Sequence, residues 1–188
     1  WSGGTTPVGW VMTAMLLTMF MIPAVPGVPY EVRGNGEMFP LNGPAWSLFF
    51  EYIGNICYAL FIRRLSTEAL SWLVAALGVV YIWFSVGNVS GYESIGVGWT
   101  IGDNGNIFGG FLRMMFPFSL GMLLARNFKP VRVRGIFWLA IVLLFALFSV
   151  PFFPGVGGIC VNGIFEMCCI MLIFPVIVWL GASGVTTD

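Results

Sequence analysis

Histidine is missing from this chain of 188 residues, and charge is scarce: 9% of positions are Asp, Glu, Lys or Arg, eight acidic and eight basic. A reaction that needs an imidazole base must therefore borrow it from outside the chain. With the net charge at zero, no basic field exists to hold nucleic acid, so nucleic acid is not expected as a partner. The cysteines are Cys57, Cys160, Cys168 and Cys169. They show no C-x-x-C spacing, and with no histidine beside them no metal site is expected. Three lie in apolar runs, where a free thiol behaves as a small hydrophobe. Only Cys160 sits near an aqueous face, so a disulfide framework is not expected either.

What the chain has in excess is apolar surface. Hydrophobic residues make up 59% before the 25 glycines are counted, whereas a soluble domain reaches about 45–50% with glycine included. A domain of this size keeps much of its surface outside, so the solvent around it has to be lipid. Six apolar runs approach the ~20 residues needed to span a bilayer: 8–22, 44–62, 69–86, 107–125, 136–153 and 161–180. The expected fold class is all-α, a polytopic transmembrane helical bundle with about six spans in a single domain over 1–188. Segments 24–43, rich in Pro and Gly, and 87–106, rich in Gly, read as loops. The chain opens Trp1-Ser2-Gly3-Gly4 and stops at Thr187-Asp188, directly after an apolar run. We expect an internal piece of a larger membrane protein; an expression or processing boundary is the alternative.

The basic residues orient this array. Arg63 and Arg64 follow the second run, and Arg126, Lys129, Arg132 and Arg134 follow the fourth, while the other loops hold only Arg33. Cytoplasmic loops carry the excess of Lys and Arg. Both ends of the chain are then cytoplasmic, the two Gly-rich loops face outward, and the expected location is the plasma (inner) membrane. Trp46, Trp72, Trp99, Trp138 and Trp179 fall near run ends, as an interfacial belt would place them.

Three ionisable residues lie within the runs: Glu51, Arg113 and Glu166. A charge at the bilayer centre costs at least about 2.5–3.5 kcal/mol and is a candidate for function. At ~1.5 Å per residue they lie roughly 10, 9 and 8 Å from the outer end of their runs. One layer is therefore expected, with Arg113 paired to Glu51, Glu166 or both. A buried ion pair that only fixes packing is the alternative.

The string Asn42-Gly43-Pro44-Ala45-Trp46-Ser47-Leu48-Phe49-Phe50-Glu51 reads locally as a capped helix start. Pro44 suits a first turn, Asn42 can satisfy free N–H groups, and Ser47 and Glu51, four apart, share a face. The same string resembles the Asn-x-Pro-x-Trp-Ser-Leu-x-x-Glu signature of the acyltransferase-3 family of integral membrane proteins. Gly109-Gly110-Phe111-Leu112-Arg113-Met114-Met115-Phe116-Pro117-Phe118-Ser119-Leu120-Gly121 is similar to that family's Arg-containing span. Phe174-Pro175 followed by Gly181-Ala182 is a weaker third match, and the three occur in family order.

The resemblance implies transfer of an acyl group, most often acetyl, onto a hydroxyl of a carbohydrate or similar envelope acceptor. No cofactor is bound; acyl-CoA (acetyl-CoA) is the implied donor substrate. The family's essential Arg and His precede the region matched here, so the resemblance also implies missing N- and C-terminal spans and a piece inactive alone. The partners are then the lipid bilayer, the acyl donor, the hydroxyl acceptor and those missing spans. Glu51 and Arg113 would be catalytic, with Asn42, Trp46, Ser47 and Glu166 contacting substrate and no metal. Ser47 lacks a local base and is a poor nucleophile. Trp46 would stack on a sugar ring or serve as an interfacial anchor.

Other strings carry less. The glycines of 96–110 lack the Gly-Lys-Ser/Thr of a phosphate loop. Asn88-Val89-Ser90 matches a glycosylation sequon, without meaning in a bacterial-type parent. The basic stretch 126–134 would attract CoA or anionic headgroups, or act as a topology determinant. Two rival functions remain open: a transporter or exporter of a sugar or lipid-linked intermediate, and a subunit that only packs against partner spans.

Overall fold

The computed structural model describes residues 6–131, 134–157 and 159–184. Arg132 of the basic stretch and the residues at both extreme ends, Trp1 and Asp188 among them, lie outside that set. All regular structure among the described residues is helical: α1 (Val8–Met19), α2 (Ala45–Leu60) extended by a 3-10 turn (Ile62–Arg64), α3 (Thr67–Val86), α4 (Asn104–Arg126), α5 (Ile136–Phe148), α6 (Val161–Cys168), a π-helical turn (Cys169–Ile173) and α7 (Phe174–Ser183).

Among the described residues four helical stretches are long and apolar enough to cross a membrane: Ala45–Arg64, Thr67–Val86, Asn104–Arg126 and Val161–Ser183, of 20, 20, 23 and 23 residues. The first and fifth apolar runs form shorter helices, of 12 and 13 residues, so six full-length helices are not found among the described residues. At ~1.5 Å per residue α1 and α5 reach about 20 Å at most, less than the ~30 Å hydrocarbon core. Chain chemistry stops both. After α1 come Met21, held at φ 56°, and then Pro23 and Pro26. After α5 come Pro151 and Pro154, which offer no N–H to a continuing helix.

The helix starts follow local rules. Ser66 caps α3 by accepting the Ala69 N–H at 3.1 Å, with Glu68 in the first turn. Asp103 performs the same task for α4, its carboxylate accepting the Gly105 N–H and its carbonyl the Ile107 N–H. At α2 the expected Asn42 cap is not made. No side chain caps this helix; the backbone carbonyl of Asn42 accepts the Ala45 N–H instead. Cys160 caps α6 through its sulfur, which accepts the Gly163 N–H at 3.2 Å. Pro117 lies inside α4 and brings no N–H to the turn behind it, so the Arg113 carbonyl loses its helical partner.

The chain divides into two compact units: residues 1–63 with 96–114, and residues 64–95 with 115–188. The boundary falls inside α4. In the first unit the two long loops meet through backbone bonds. Met38 donates to the Trp99 carbonyl at 2.8 Å and accepts from Ala24 at 2.7 Å. Below them Met38, Phe39, Ala45 and Phe50 form a core, with Trp46, Phe49, Ile101, Ile107 and Met114 packed against it.

In the second unit α3 and α6 run antiparallel. A Cβ at Gly163 near the start of α6 would touch the Ser85 carbonyl near the end of α3, and one at Gly78 would meet Met171 in the π turn. The end of α7 reaches the start of α5, where Gly184 abuts Ile136. Residue 155 returns to the far end, its N–H donating to Glu93 Oε2 at 3.1 Å. Segment 136–155 thus runs the length of this unit, the last stretch as non-helical chain. Arg126 donates to the Leu65 carbonyl at 2.7 Å, which gathers Arg64 and Arg126 at one end. Glu93 and Glu166 lie at the other.

Outward faces carry large apolar groups, among them Trp72, Trp83, Phe137, Trp138, Phe145 and Phe148. Such a surface is stable against lipid tails and costly against water.

Candidate functional site

The residues expected at the site fall into two separate settings. Trp46, Ser47, Glu51 and Arg113 belong to the first unit, Glu166 to the second.

In the first unit, α2 and the N-terminal half of α4 approach closely because small residues allow it. A Cβ at Gly110 would lie 2.5 Å from the Phe50 ring and 2.8 Å from Gly98 Cα, so both glycines are needed for the backbone of 96–100 to reach α4. Gly98 also adopts φ +122°, a region closed to other residues. Phe50 fills the space between them, edge-on to Phe111 at 5.0 Å, to Phe49 at 5.4 Å and to Trp46 at 6.3 Å. Asn106 locks the loop: its Oδ1 accepts the N–H groups of Gly98 at 2.8 Å and Thr100 at 3.1 Å. It is fully buried, and its Nδ2 has no partner among the described residues.

On this platform Arg113 lays its guanidinium over the Trp46 ring, 5.2 Å from the centroid. An indole face attracts a cation, and the more so away from water. The expected pairing with Glu51 is not made. The ion pair found among the described residues is Arg33–Glu37, on the loop before α2. Arg113 is half-buried and Glu51 exposed. Neither has a carboxylate or cationic partner among the described residues. Trp46 is packed as the seat of Arg113, and so does more than anchor an interface. Ser47 donates its hydroxyl to the Pro44 carbonyl at 3.0 Å, which keeps it local to the helix start. Asn42 is exposed.

Glu166 has a different environment. Its carboxylate accepts the Ser94 hydroxyl at 2.9 and 3.0 Å, the Ile95 N–H at 2.7 Å and Asn162 Nδ2 at 2.9 Å. Asn162 also donates to the Glu93 carbonyl at 3.2 Å. Donors converging on both oxygens satisfy the carboxylate without a cation. The signal was present in the sequence: Asn162 and Glu166 are four apart and so share a helix face. Ser94, Ile95 and Asn106 carry no such signal, since their roles arise from how a Gly-rich loop folds.

The sequon is built into the same loop. Asn88 Oδ1 accepts the Glu93 N–H at 2.9 Å, and Ser90 donates to the Ser94 carbonyl at 2.8 Å. These side chains shape a turn.

What the first unit offers chemically is a guanidinium seated on Trp46 whose N–H donors no described residue takes, and an exposed carboxylate on α2. No family model, no curated protein and no solved structure matches this chain.

Proposed function

We propose that the chain is part of a membrane-embedded acyltransferase. It moves an acyl group, acetyl by the resemblance noted above, from acyl-CoA to a hydroxyl of a carbohydrate or similar envelope acceptor. The observation that carries this reading is Arg113, held on Trp46 at 5.2 Å with its donors uncommitted, within the unit that also holds Glu51.

Acyl transfer from a thioester needs donors where negative charge develops and a base for the attacking hydroxyl. Arg113 supplies the donors to the carbonyl oxygen. The acceptor oxygen forms its bond to the acyl carbon, the carbon–sulfur bond breaks, and the thiolate leaves with the proton that the base removed. Glu51, exposed on α2, accepts a hydrogen bond from the acceptor hydroxyl and orients it. The imidazole base comes from outside this chain, which has no histidine. Glu166, already holding three donor groups, acts as a loop anchor in this reading. By the positive-inside rule the end bearing Arg64 and Arg126 lies in the cytoplasm, the membrane being the plasma (inner) membrane.

Glu51→Gln and Arg113→Ala, made in the protein in its own membrane, are expected to abolish acceptor acylation with membrane abundance nearly unchanged. Acylation that persists in both variants refutes the reading. Loss of abundance in step with loss of activity assigns the two residues to packing instead.

A further inference from the structure

The exposed face of α2 is unlike the other outward faces of the molecule. At 100° per residue, Phe50 and Gly54 point one way, where a Cβ on Gly54 would meet Met114 at 2.6 Å. Leu48, Tyr52, Ile56 and Ala59 occupy the opposite arc, with Asn55 beside them and Glu51 on the flank, and all six are exposed. Asn55 lies between Glu51 and that arc. Counting from Ala45, Glu51 is about 9 Å and Asn55 about 15 Å along the helix, so Asn55 sits near the middle of a ~30 Å core. Elsewhere among the described residues the large exposed mid-span side chains are apolar: Val79, Ile82 and Trp83 on α3, Val142 and Phe145 on α5, Leu172 in the π turn, and Val176 and Val178 on α7. The contrast sets Glu51 and Asn55, one turn apart on the side of α2, against surfaces that suit lipid.

Lipid tails offer neither a counter-charge nor a hydrogen bond. Asn55 spends one N–H on the Glu51 carbonyl at 2.9 Å, and its Oδ1 has no donor among the described residues. Glu51 has no cation. None of the chain's own described basic residues meets it: Arg113 lies on Trp46, Arg33 pairs with Glu37, and Arg126 is bound to the Leu65 carbonyl.

We propose that this face is the docking surface for a transmembrane helix from outside the described chain. That helix carries a cationic side chain at the depth of Glu51 and a hydrogen-bonding side chain one turn deeper, at Asn55. Side-chain amides join helices in membranes for this reason. A second copy is the wrong occupant. Two copies inserted in the same direction would set Glu51 against Glu51 at one depth, and like charges repel. The inference goes beyond the acyltransferase reading, since it holds whatever reaction the chain serves.

The test places a photoreactive benzoylphenylalanine at Tyr52 in the full chain, in its native membrane, with the same probe at Phe145 for comparison. Tyr52 is 60% exposed and Phe145 75%, so both probes reach their surroundings. The expected result is a discrete protein adduct at Tyr52, whose peptides map to a transmembrane segment bearing Arg, Lys or His, with lipid adducts at Phe145. Glu51→Lys should then lower the adduct yield about tenfold, a change of ~1.4 kcal/mol, and replacing the partner's cation by Glu should restore it. If the Glu51→Lys chain fails to insert, Asn55→Leu serves, with a reduced yield expected and no change of charge. Lipid adducts alone at Tyr52, an adduct to a second copy, an adduct to a segment without a cation, or a yield unchanged in both variants would overturn the proposal.

Discussion

Glu166→Gln is the sharpest test of whether a membrane carboxylate is there for architecture. In the structure Oε2 accepts the Ile95 N–H at 2.7 Å, and Oε1 accepts Asn162 Nδ2 at 2.9 Å. Glutamine has one carbonyl oxygen. If that oxygen stays on Ile95, the new NH2 faces the Asn162 NH2, donor against donor. The Ser94 hydroxyl, now at 2.9–3.0 Å from both oxygens, can rotate to accept from the new amide, so its bond survives in reversed sense. One hydrogen bond is lost, and the remainder lose the help of a full charge. Hydrogen bonds to charged groups are worth roughly 1.5–3 kcal/mol, and Ile95 and Asn162 are buried at 4% and 5% exposure, so water does not replace the lost partner. A local cost of about 2 kcal/mol converts to about a 30-fold rise in the opening equilibrium of the 93–95 turn. Amide hydrogen exchange in nanodiscs reads this directly. The Ile95 amide should exchange about 30-fold faster, while amides at the Arg126 end of α4 keep their rates. Asn162→Ala should have a similar effect, and the double variant should fall well short of the sum, because the two changes remove one shared bond. An Ile95 amide that exchanges no faster in Glu166→Gln would refute the reasoning, since it would mean that neither the charge nor the second oxygen holds the turn.

Two further predictions concern the platform under Arg113. Gly110→Ala should lower stability by about 1–3 kcal/mol by overpacking, since its neighbours at 2.5–2.8 Å include the Gly98 backbone; Gly181→Ala, with nothing within 4 Å, is the control, and equal unfolding midpoints in mild detergent for both would count against the close approach. Asn106→Ala should cost more, because two buried N–H groups, on Gly98 and Thr100, lose their acceptor at about 1–3 kcal/mol each; unchanged exchange at those two amides would sink the idea that Asn106 locks the loop.

Much of the helical layout was legible in composition, because apolar run length follows from bilayer thickness. The runs at 44–62, 69–86, 107–125 and 161–180 correspond to the four long helical stretches. Hydropathy reads 8–22 and 136–153 as equally apolar, yet their helices stop at Met19 and Phe148. Apolarity reports where a segment is soluble, while helix length depends on unbroken N–H donors, and the prolines that follow each of these two helices remove them. The π turn ahead of Pro175 was equally hidden, since its apolar side chains give the same pattern in either helix type. The site was legible in part. Trp46 and Arg113 were picked out separately, one by a motif and one by its charge, and the structure brings them together. Their contact was not foreseen because Coulomb reasoning looks for carboxylates, and the face of an indole has no formal charge.

Membrane charges in this chain are satisfied in three ways, and the differences between them separate architecture from function. Glu166 is surrounded by donors and has little left to offer a ligand. Arg113 is held in place by an aromatic face, which attracts its charge and leaves its N–H groups unused. Glu51 has neither a cation nor a donor among the described residues. A fold gains by satisfying every polar group it buries in lipid, because each unmet one costs free energy. Where a stable membrane unit leaves such groups open, the missing partner must be supplied by something else that binds there. Three side chains left open toward their surroundings, Arg113 of α4 and Glu51 and Asn55 of α2, lie on the first unit. A substrate oxygen meets the first requirement, and a neighbouring helix meets the second. The two occupants need not exclude each other, because Asn55 lies one turn deeper than Glu51 and further round the exposed side of α2. A variant confined to Asn55 should therefore disturb helix docking before it disturbs any chemistry at Arg113.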